Sequence, residues 1–302
     1  MRCNMAKVNL DLTHDASEIV HYDTAGIPLY IKTGNLSNYP DKRALCHWHE
    51  DIEFIRVLKG KMNYSINGKK ILLNENDCLM VNAKQMHYGY SQNQQNCIFI
   101  CILIHPRLLA TNQLLKQKYF VPVLDNSRLE YLHFGPQDIL HDEMMSLLDR
   151  IMQLKEQAVP GYELEVMGSM MLMWNRLLGI PQMASSKPEV LPDSDLAIQK
   201  DMVSFIYQNY AEKLALADIA AAGNVSRSKC CIIFKQYLQQ SPIDFLNHYR
   251  LEVSCSLLKT TALTITEIAT ACGFNHLSYY SKFFSKSYGC TPNEFRKQHL
   301  TE

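Results

Sequence analysis

Apolar and polar positions alternate from residue 27 to residue 104, and clusters rich in Gly, Asn and Asp interrupt the alternation. A period of two is the mark of strands buried on one face. The sharpest turn signal is Asn67-Gly68, because both central residues of a type I′ hairpin need positive φ. It predicts a hairpin joining Met62–Ile66 to residues 70–73, and Gly60 and the cluster at 74–77 mark further turns. Many short strands with close turns predict an antiparallel barrel or sandwich.

The period changes after Pro136. Met144, Leu147, Leu148, Ile151 and Leu154 recur at helical spacing, Pro160-Gly161 interrupts, and Met167, Met170, Met171, Trp174, Leu177 and Leu178 give a second stripe. Two amphipathic helices at 136–180 follow. Their stripes serve either to cover the barrel or to form the seam of a homodimer, and the second is the expectation carried forward. Residues 181–195 contain Pro181, Ser185, Ser186, Pro188 and Pro192, which is linker composition.

A third pattern fills residues 196–302. Leu216, Ile219 and Ala220 form the apolar face of a short helix, Gly223-Asn224 a turn, and Val225 an apolar plug. Ser226 is an N-cap, and Cys230, Ile233, Phe234 and Tyr237 are the inner face of a second helix. The outer face of that helix carries Arg227, Ser228, Cys231, Ile232 and Lys235. About 49 residues on, the pattern returns with Ile265, Ile268 and Ala269, then Cys272-Gly273-Phe274. Tyr280, Phe283 and Phe284 follow as the inner face, one residue late, and Ser278, Ser281, Lys282, Ser285 and Lys286 form the outer one. Asn275 is the expected cap, since His276 stands at the usual position. A helix capped by Ser241, with Pro242 at its first position, joins the copies.

Charge adds little. Lys+Arg and Asp+Glu are both 30, and residues 195–302 hold 11 basic against 9 acidic, a net +2. The longest strongly apolar run, Cys97–Ile104, is far short of the roughly 20 residues a spanning helix needs. No apolar leader stands at the N-terminus, so a membrane partner is not expected. The ten cysteines form no CxxC pair, and Cys78, Cys97, Cys101 and Cys272 stand at core positions. Reduced, packed thiols and a cytoplasmic location are the expectation.

The tandem pattern resembles a known signature. Ile268-Ala269-x-x-Cys272-Gly273-Phe274, Tyr279-Tyr280-Ser281-Lys282-Phe283-Phe284-Ser285-Lys286 and Tyr288-Gly289-Cys290-Thr291-Pro292-Asn293-Glu294-Phe295-Arg296 are similar to the signature of AraC/XylS-type transcriptional regulators. Arg250-Leu251-Glu252 and Leu257-Leu258 resemble that family's connecting helix. The resemblance implies two recognition helices in successive major-groove segments, about 34 Å apart. It implies base-facing Ser228, Cys231 and Ile232 in one motif and Ser278, Ser281 and Lys282 in the other, flanked by Arg227, Lys235 and Lys286. Ile232 departs from the long polar residue usual there. It can touch a thymine methyl but cannot hydrogen-bond a base edge. The first motif therefore either reads A·T-rich DNA by apolar contact or adds little specificity.

In the N-terminal half, His47-x-His49-x-x-x-Glu53 followed by Gly60 resembles the first motif of cupin barrels, and His87 stands where their second motif has its histidine. Positions 47, 49 and 53 share a parity, so in an extended strand all three face inward. Three imidazoles and a carboxylate suit a divalent transition metal. They equally suit the hydroxyls of an organic effector bound with no cofactor, or a structural cluster. Similar His-Trp-His stretches occur in sugar-responsive AraC-type regulators.

The fold expected is thus multidomain: a cupin-like all-β barrel (1–135), a helical dimerisation segment (136–180), a linker (181–195) and an all-α tandem helix-turn-helix domain (196–302). The function implied is a ligand-responsive regulator, by family habit an activator. Its partners would be double-stranded promoter DNA, a small-molecule effector, RNA polymerase and a second copy. A cupin metalloenzyme carrying a DNA-binding module, and a constitutive architectural protein with a vestigial barrel, are the competing readings. Neither outweighs a non-enzymatic regulator.

Overall fold

The computed structural model describes residue 13 and residues 17–24, 26–109, 112–126, 128–181 and 194–299. Two compact units result. One comprises residues 20–36 and 48–192. The other comprises residues 193–302 with residues 1–19 and Ser37–His47. Residues 182–193 of the expected linker lie outside the described residues.

The first unit is built on strands β1 (Leu29–Asn35), β2 (Ile52–Gly60), β3 (Met62–Ile66), β4 (Lys69–Leu73), β5 (Cys78–Val81), β6 (His87–Tyr90), β7 (Cys97–Ile104) and β8 (Tyr131–Phe134). They form two antiparallel sheets, ordered β1-β7-β2-β5-β8 and β4-β3-β6. The hairpin turn is where the alternation put it, with φ of 46° at Asn67 and 82° at Gly68. Gly60 ends β2 at φ 82°, and a Cβ there would lie 2.5 Å from the Asn96 carbonyl, so the close approach of β7 demands glycine.

Alternation along β2 sorts its residues. Ile52 and Phe54 enter one apolar core with Ile100 and Ile102. Glu53, Ile55 and Val57 take the opposite face. The first core is roofed by α1 (His141–Gln157) and α2 (Tyr162–Leu177), which separate at Ala158 and Gly161, both in the left-handed region. Met144, Leu148, Ile151, Leu154, Met170, Trp174 and Leu177 are all buried there. The Trp174 ring stacks on Phe120 at 4.8 Å, and its Nε1 donates to the Tyr119 carbonyl at 3.1 Å. This corrects the basis of the expected dimer seam. The two stripes are consumed inside the unit, and the apolar side chains these helices leave outside are Leu164 and Leu172, 73% and 52% exposed.

The second unit contains α3 (Ser194–Asn209), α4 (Leu216–Ala222), α5 (Arg227–Leu238), α6 (Pro242–Thr260), α7 (Ile265–Ala271), α8 (Leu277–Tyr288) and α9 (Pro292–His299). Local chemistry sets most of the ends. Ser226 Oγ accepts from Lys229 N, and Ser241 Oγ from Asp244 N. Thr264 with Glu267, and Thr291 with Glu294, close reciprocal capping boxes. The α8 N-cap is His276, whose side chain makes no capping bond, and Asn275 does not take over the role. One residue more separates plug from helix here than in the first motif, which is why the inner face of α8 comes one place late.

Ser37–His47 groups with this second unit by its contacts. Asp41 Oδ2 accepts from His248 Nε2 of α6 at 2.9 Å and from Ser287 Oγ of α8 at 3.0 Å. Arg43 Nη1 donates to the carbonyl of Leu238, the last residue of α5, at 3.2 Å. Tyr207 of α3 donates its hydroxyl to the Cys46 carbonyl at 2.7 Å.

Candidate functional site

Two helix faces in the second unit carry the residues singled out for DNA. On α5, Cys230, Ile233, Phe234 and Tyr237 are buried. Arg227, Ser228, Ile232 and Lys235 are exposed, and Cys231 is half-buried. On α8, Tyr280 and Phe284 are buried while Phe283 is only partly so. Ser278, Lys282 and Lys286 are exposed, and Ser281 is half-buried. Each expected set therefore lies along the outer surface of its helix. Lys229 is engaged with Asp195. Tyr279, absent from the expected set, is exposed at the start of α8 beside Ser278, and its hydroxyl accepts from Asn247 Nδ2 at 3.2 Å. Its signal was the same one-residue shift that displaced the inner face.

Beneath these faces Arg250 of α6 is buried. Its Nε donates to the Tyr210 carbonyl and its Nη2 to the Glu212 carbonyl, both at 2.8 Å, just beyond the end of α3. The guanidinium lies 5.8 Å from the centre of the Phe274 ring, the plug of the second motif. Burial pulls its pKa down, with Cys272 and Tyr279 opposing. Gly273, φ 78°, turns against the same carbonyl region.

The barrel holds a polar cluster between its sheets. Glu53 comes from β2, Tyr64 and His87 from β3 and β6, and Cys101 from β7. Glu53 Oε2 accepts from Tyr64 Oη at 2.9 Å and lies 3.0 Å from His87 Nε2, while Oε1 accepts from Cys101 Sγ at 3.4 Å. Glu53, His49 and His87 are each less than 5% exposed. The His49 and His87 rings meet edge to face at 4.8 Å, and Tyr64 stacks on His87 at 6.0 Å.

One ring nitrogen from each of His47, His49 and His87 lies within 4.8 Å of the others. Their Nδ1 atoms face backbone carbonyls: Leu45 at 2.9 Å, Asp51 at 3.0 Å and Gln85 at 2.8 Å. A carbonyl only accepts, so Nδ1 carries a hydrogen in each ring, and at His87 the Nε2 faces the Glu53 carboxylate. Glu53 touches His87 but is not among the three mutually close donors. A bend at residues 50–51 separates His49 from β2, so shared strand parity is not what gathers these groups. Next to His49, Asp51 accepts from Tyr22 Oη at 2.9 Å, and burial pushes its carboxyl up to about 6.

Tyr64 and Cys101 were not expected in the cluster. Alternation in β3 places Tyr64 with Met62 and Ile66 on one face, and that was the available signal. Cys101, expected at a core position, is half-buried and faces Glu53. Cys78, Cys97 and Cys272 are fully buried, and burial pushes each of them up to about 12. Among the described residues no helix is long and apolar enough to cross a membrane.

Comparisons with known proteins align both halves. Residues 34–173 match the family described as an AraC-like ligand binding domain, and residues 219–298 match a helix-turn-helix domain. The HTH-type transcriptional regulator YdeC of Bacillus subtilis is 28% identical over 291 residues, covering 96% of this chain and 98% of that protein. The HTH-type transcriptional activator RhaS of an Enterobacter species is 22% identical, covering 83% and 87%. Among solved structures, fatty-acid-bound ToxT of Vibrio cholerae matches over 91% of this chain and 96% of its own, at 13% identity and a TM-score of 0.45.

Proposed function

The chain belongs to the AraC family of transcriptional regulators, with an AraC-like ligand-binding domain and a helix-turn-helix region, and from that premise we propose that it activates transcription from promoter DNA in response to a small effector held in the barrel. The observation that carries the DNA reading is the tandem pair of helices, each with an apolar face spent in its own core and a polar face outside. On α8, Ser278, Ser281 and Lys282 read base edges and Lys286 meets phosphate. On α5, Arg227, Ser228 and Lys235 supply polar contacts while Cys231 and Ile232 offer thymine methyls an apolar surface. The activator sense follows the naming of RhaS and makes RNA polymerase the protein partner. A promoter-binding protein works where the chromosome is, in the cytoplasm, and the reading needs no enzymatic step.

His47, His49, Glu53 and His87 are the effector residues of this reading. A sugar or similar polyol would donate its hydroxyl hydrogens to the ring nitrogens that do not face carbonyls and to Glu53. A second ligand class has a specific observation in its favour. Each of three rings commits its Nδ1 hydrogen to a carbonyl, the outer arrangement of metal-bound histidines, and one nitrogen of each ring lies within 4.8 Å of the others. That donor set fits a divalent transition ion, which would serve as a charge anchor for the effector or as the effector itself. Dimerisation is assigned to the outward face of α2, where Leu164 and Leu172 stand on either side of Gly168.

Two measurements test this reading on the full chain. Lys282→Ala should weaken specific DNA binding by about 1–3 kcal/mol. Lys213→Ala, exposed between α3 and α4, should change it little. Equal losses on specific and random DNA would sink the base-reading role. In the second measurement, a thermal-shift screen of sugars and of zinc or cobalt ions on tag-free protein should find a stabilising ligand whose effect His49→Ala removes. A ligand that still stabilises His49→Ala at its original concentration binds elsewhere.

A further inference from the structure

We propose that Ser37–His47 is a brace for the DNA-reading unit, and that Asp41 and Arg43 are positioning residues which fix the separation of the two recognition helices. The inference rests on the DNA-binding reading above and adds a determinant that lies about 150 residues or more upstream of either motif in the chain.

The brace bonds to the same part of both helices. Arg43 caps the carbonyl of Leu238, where α5 ends, and Asp41 accepts from Ser287, in the last turn of α8. Between those two anchors Asp41 also holds His248, which belongs to α6, the helix joining the motifs. His248 is itself pinned. Its Nδ1 lies 2.8 Å from the Asp244 carbonyl, and its ring lies 5.3 Å from that of Phe283 on α8. Tyr207 adds an attachment to α3, which packs under the first motif. One short segment thus reaches first motif, joining helix and second motif, and adds a second tie at the far ends of α5 and α8 to the one Arg250 makes between the end of α3 and the second motif.

Backbone geometry indicates that this conformation is selected rather than incidental. Asp41 and Lys42 have φ of 48° and 50°, two successive left-handed residues, neither of them glycine. Each non-glycine residue in that region carries a cost, smallest for Asp and Asn. The segment bears that cost where it turns the carboxylate onto His248 and Ser287. The Asp41 carboxyl is correspondingly perturbed. Burial alone would raise it, but bonds to His248 and Ser287 and the charges of His248 and Lys286 together hold it below its ordinary value. Lys286 belongs to the outer face of α8, so the brace also sets a negative charge near one of the residues assigned to phosphate.

Spacing matters because each recognition helix must meet its own groove segment. A one-base-pair change in half-site separation moves the second site by about 3.4 Å along the axis and rotates it about the duplex. A braced pair tolerates that poorly. A pair held only by α6 and the Arg250 tie follows it more readily.

The test uses the full chain and a randomised double-stranded DNA pool, from which the parent and two variants each select binding sites. Asp41→Gly keeps the left-handed backbone accessible and removes the carboxylate. Asp41→Asn keeps both the backbone preference and an acceptor oxygen. The parent should return one separation between its two recognised elements. Asp41→Gly should return a spread of separations, with discrimination against a one-base-pair offset reduced about fivefold or more, the ratio set by about 1 kcal/mol. Asp41→Asn should restore the single separation. A residue that merely stabilised the unit would lower the amount of DNA bound without widening the spacing, and circular dichroism on the same samples reports any loss of fold. Arg43→Met, which loses the bond to Leu238 and keeps the stem, provides an independent second arm with the same expected spread. The inference is overturned if Asp41→Gly and Arg43→Met both select the parent's single separation, or if Asp41→Asn is as permissive as Asp41→Gly. A parent that selects no sequence overturns the DNA-binding reading itself, and the brace with it.

Discussion

Replacing Arg250 with Met isolates the work of one buried cation. Met keeps most of the aliphatic stem and removes the guanidinium, so stem packing is largely kept while the two short hydrogen bonds to Tyr210 and Glu212, a long one to Asn247 at 3.5 Å and the contact with the Phe274 ring are lost. Hydrogen bonds from a charged donor contribute about 1.5–3 kcal/mol each, so a gross loss of about 3–6 kcal/mol is the starting figure. The desolvation that burial imposes on the cation, seen in its depressed pKa, is relieved at the same time. Carbonyls beyond a helix end also recover water more easily than mid-helix ones. A net destabilisation of about 2–4 kcal/mol remains, which corresponds to a fall in melting temperature of roughly 10–20 °C for a unit of this size. Differential scanning calorimetry of the full chain is the assay, because two units can melt in two transitions. Only the transition of the DNA-reading unit should move, and the barrel transition should stay in place. Arg250→Lys should fall between, since one ammonium cannot serve both carbonyls with the guanidinium's fork. A loss below about 0.5 kcal/mol for Arg250→Met would refute the view that Arg250 ties the end of α3 to the second motif, because surface substitutions alone reach that size.

Other consequences can be checked as directly. Leu164→Glu with Leu172→Glu should leave the barrel folded and convert a dimer to monomer in sedimentation, whereas Met170→Glu puts a charge in a side chain 2% exposed and should unfold the barrel; a monomeric parent would remove the dimer assignment. Burial pushes Glu252 of α6 up to about 8, with Lys259 opposing, so its contribution to stability is complete below pH 4.5 and is lost as pH rises through 8. Glu252→Gln should therefore flatten the decline in melting temperature of the DNA-reading unit between pH 5 and 8, and an unchanged slope would contradict the burial argument. Gly273→Ala should cost more than about 1 kcal/mol in urea unfolding, because φ is 78° and the new Cβ would lie 2.6 Å from the Tyr210 carbonyl.

Features with a short period are legible in the sequence. The Asn67-Gly68 turn, the inner faces of α5 and α8, and the Ser226 and Ser241 caps depend on residues within one or two turns of each other. Period alone could not say what a stripe touches. Met170 and Leu177 read as a seam because an apolar face on a helix looks the same whether a sheet or a second copy covers it. The histidines were found by residue type, yet their gathering involves a bend at residues 50–51 and a β6 partner that strand parity does not encode. Tyr64 and Cys101 join Glu53 only once the two sheets face each other. Ser37–His47 lies between two barrel strands in the chain, and nothing in its own pattern names His248 or Ser287 as partners.

The brace also has a consequence for the order in which the protein is made. Asp41 leaves the ribosome 246 residues before Ser287. At about 5–20 residues per second, that is a delay of roughly 12–50 s. By the end of that interval all the barrel strands and both covering helices have emerged and can pack, whereas the brace waits for the last motif. Closing so long a loop is slow compared with pairing neighbouring helices. The DNA-reading unit is therefore the last part completed, although its brace is among the first residues made. A chain that stops at residue 181 can carry a folded barrel and a brace with none of the partners found for it here. A fragment that starts at residue 193 has both motifs and no brace.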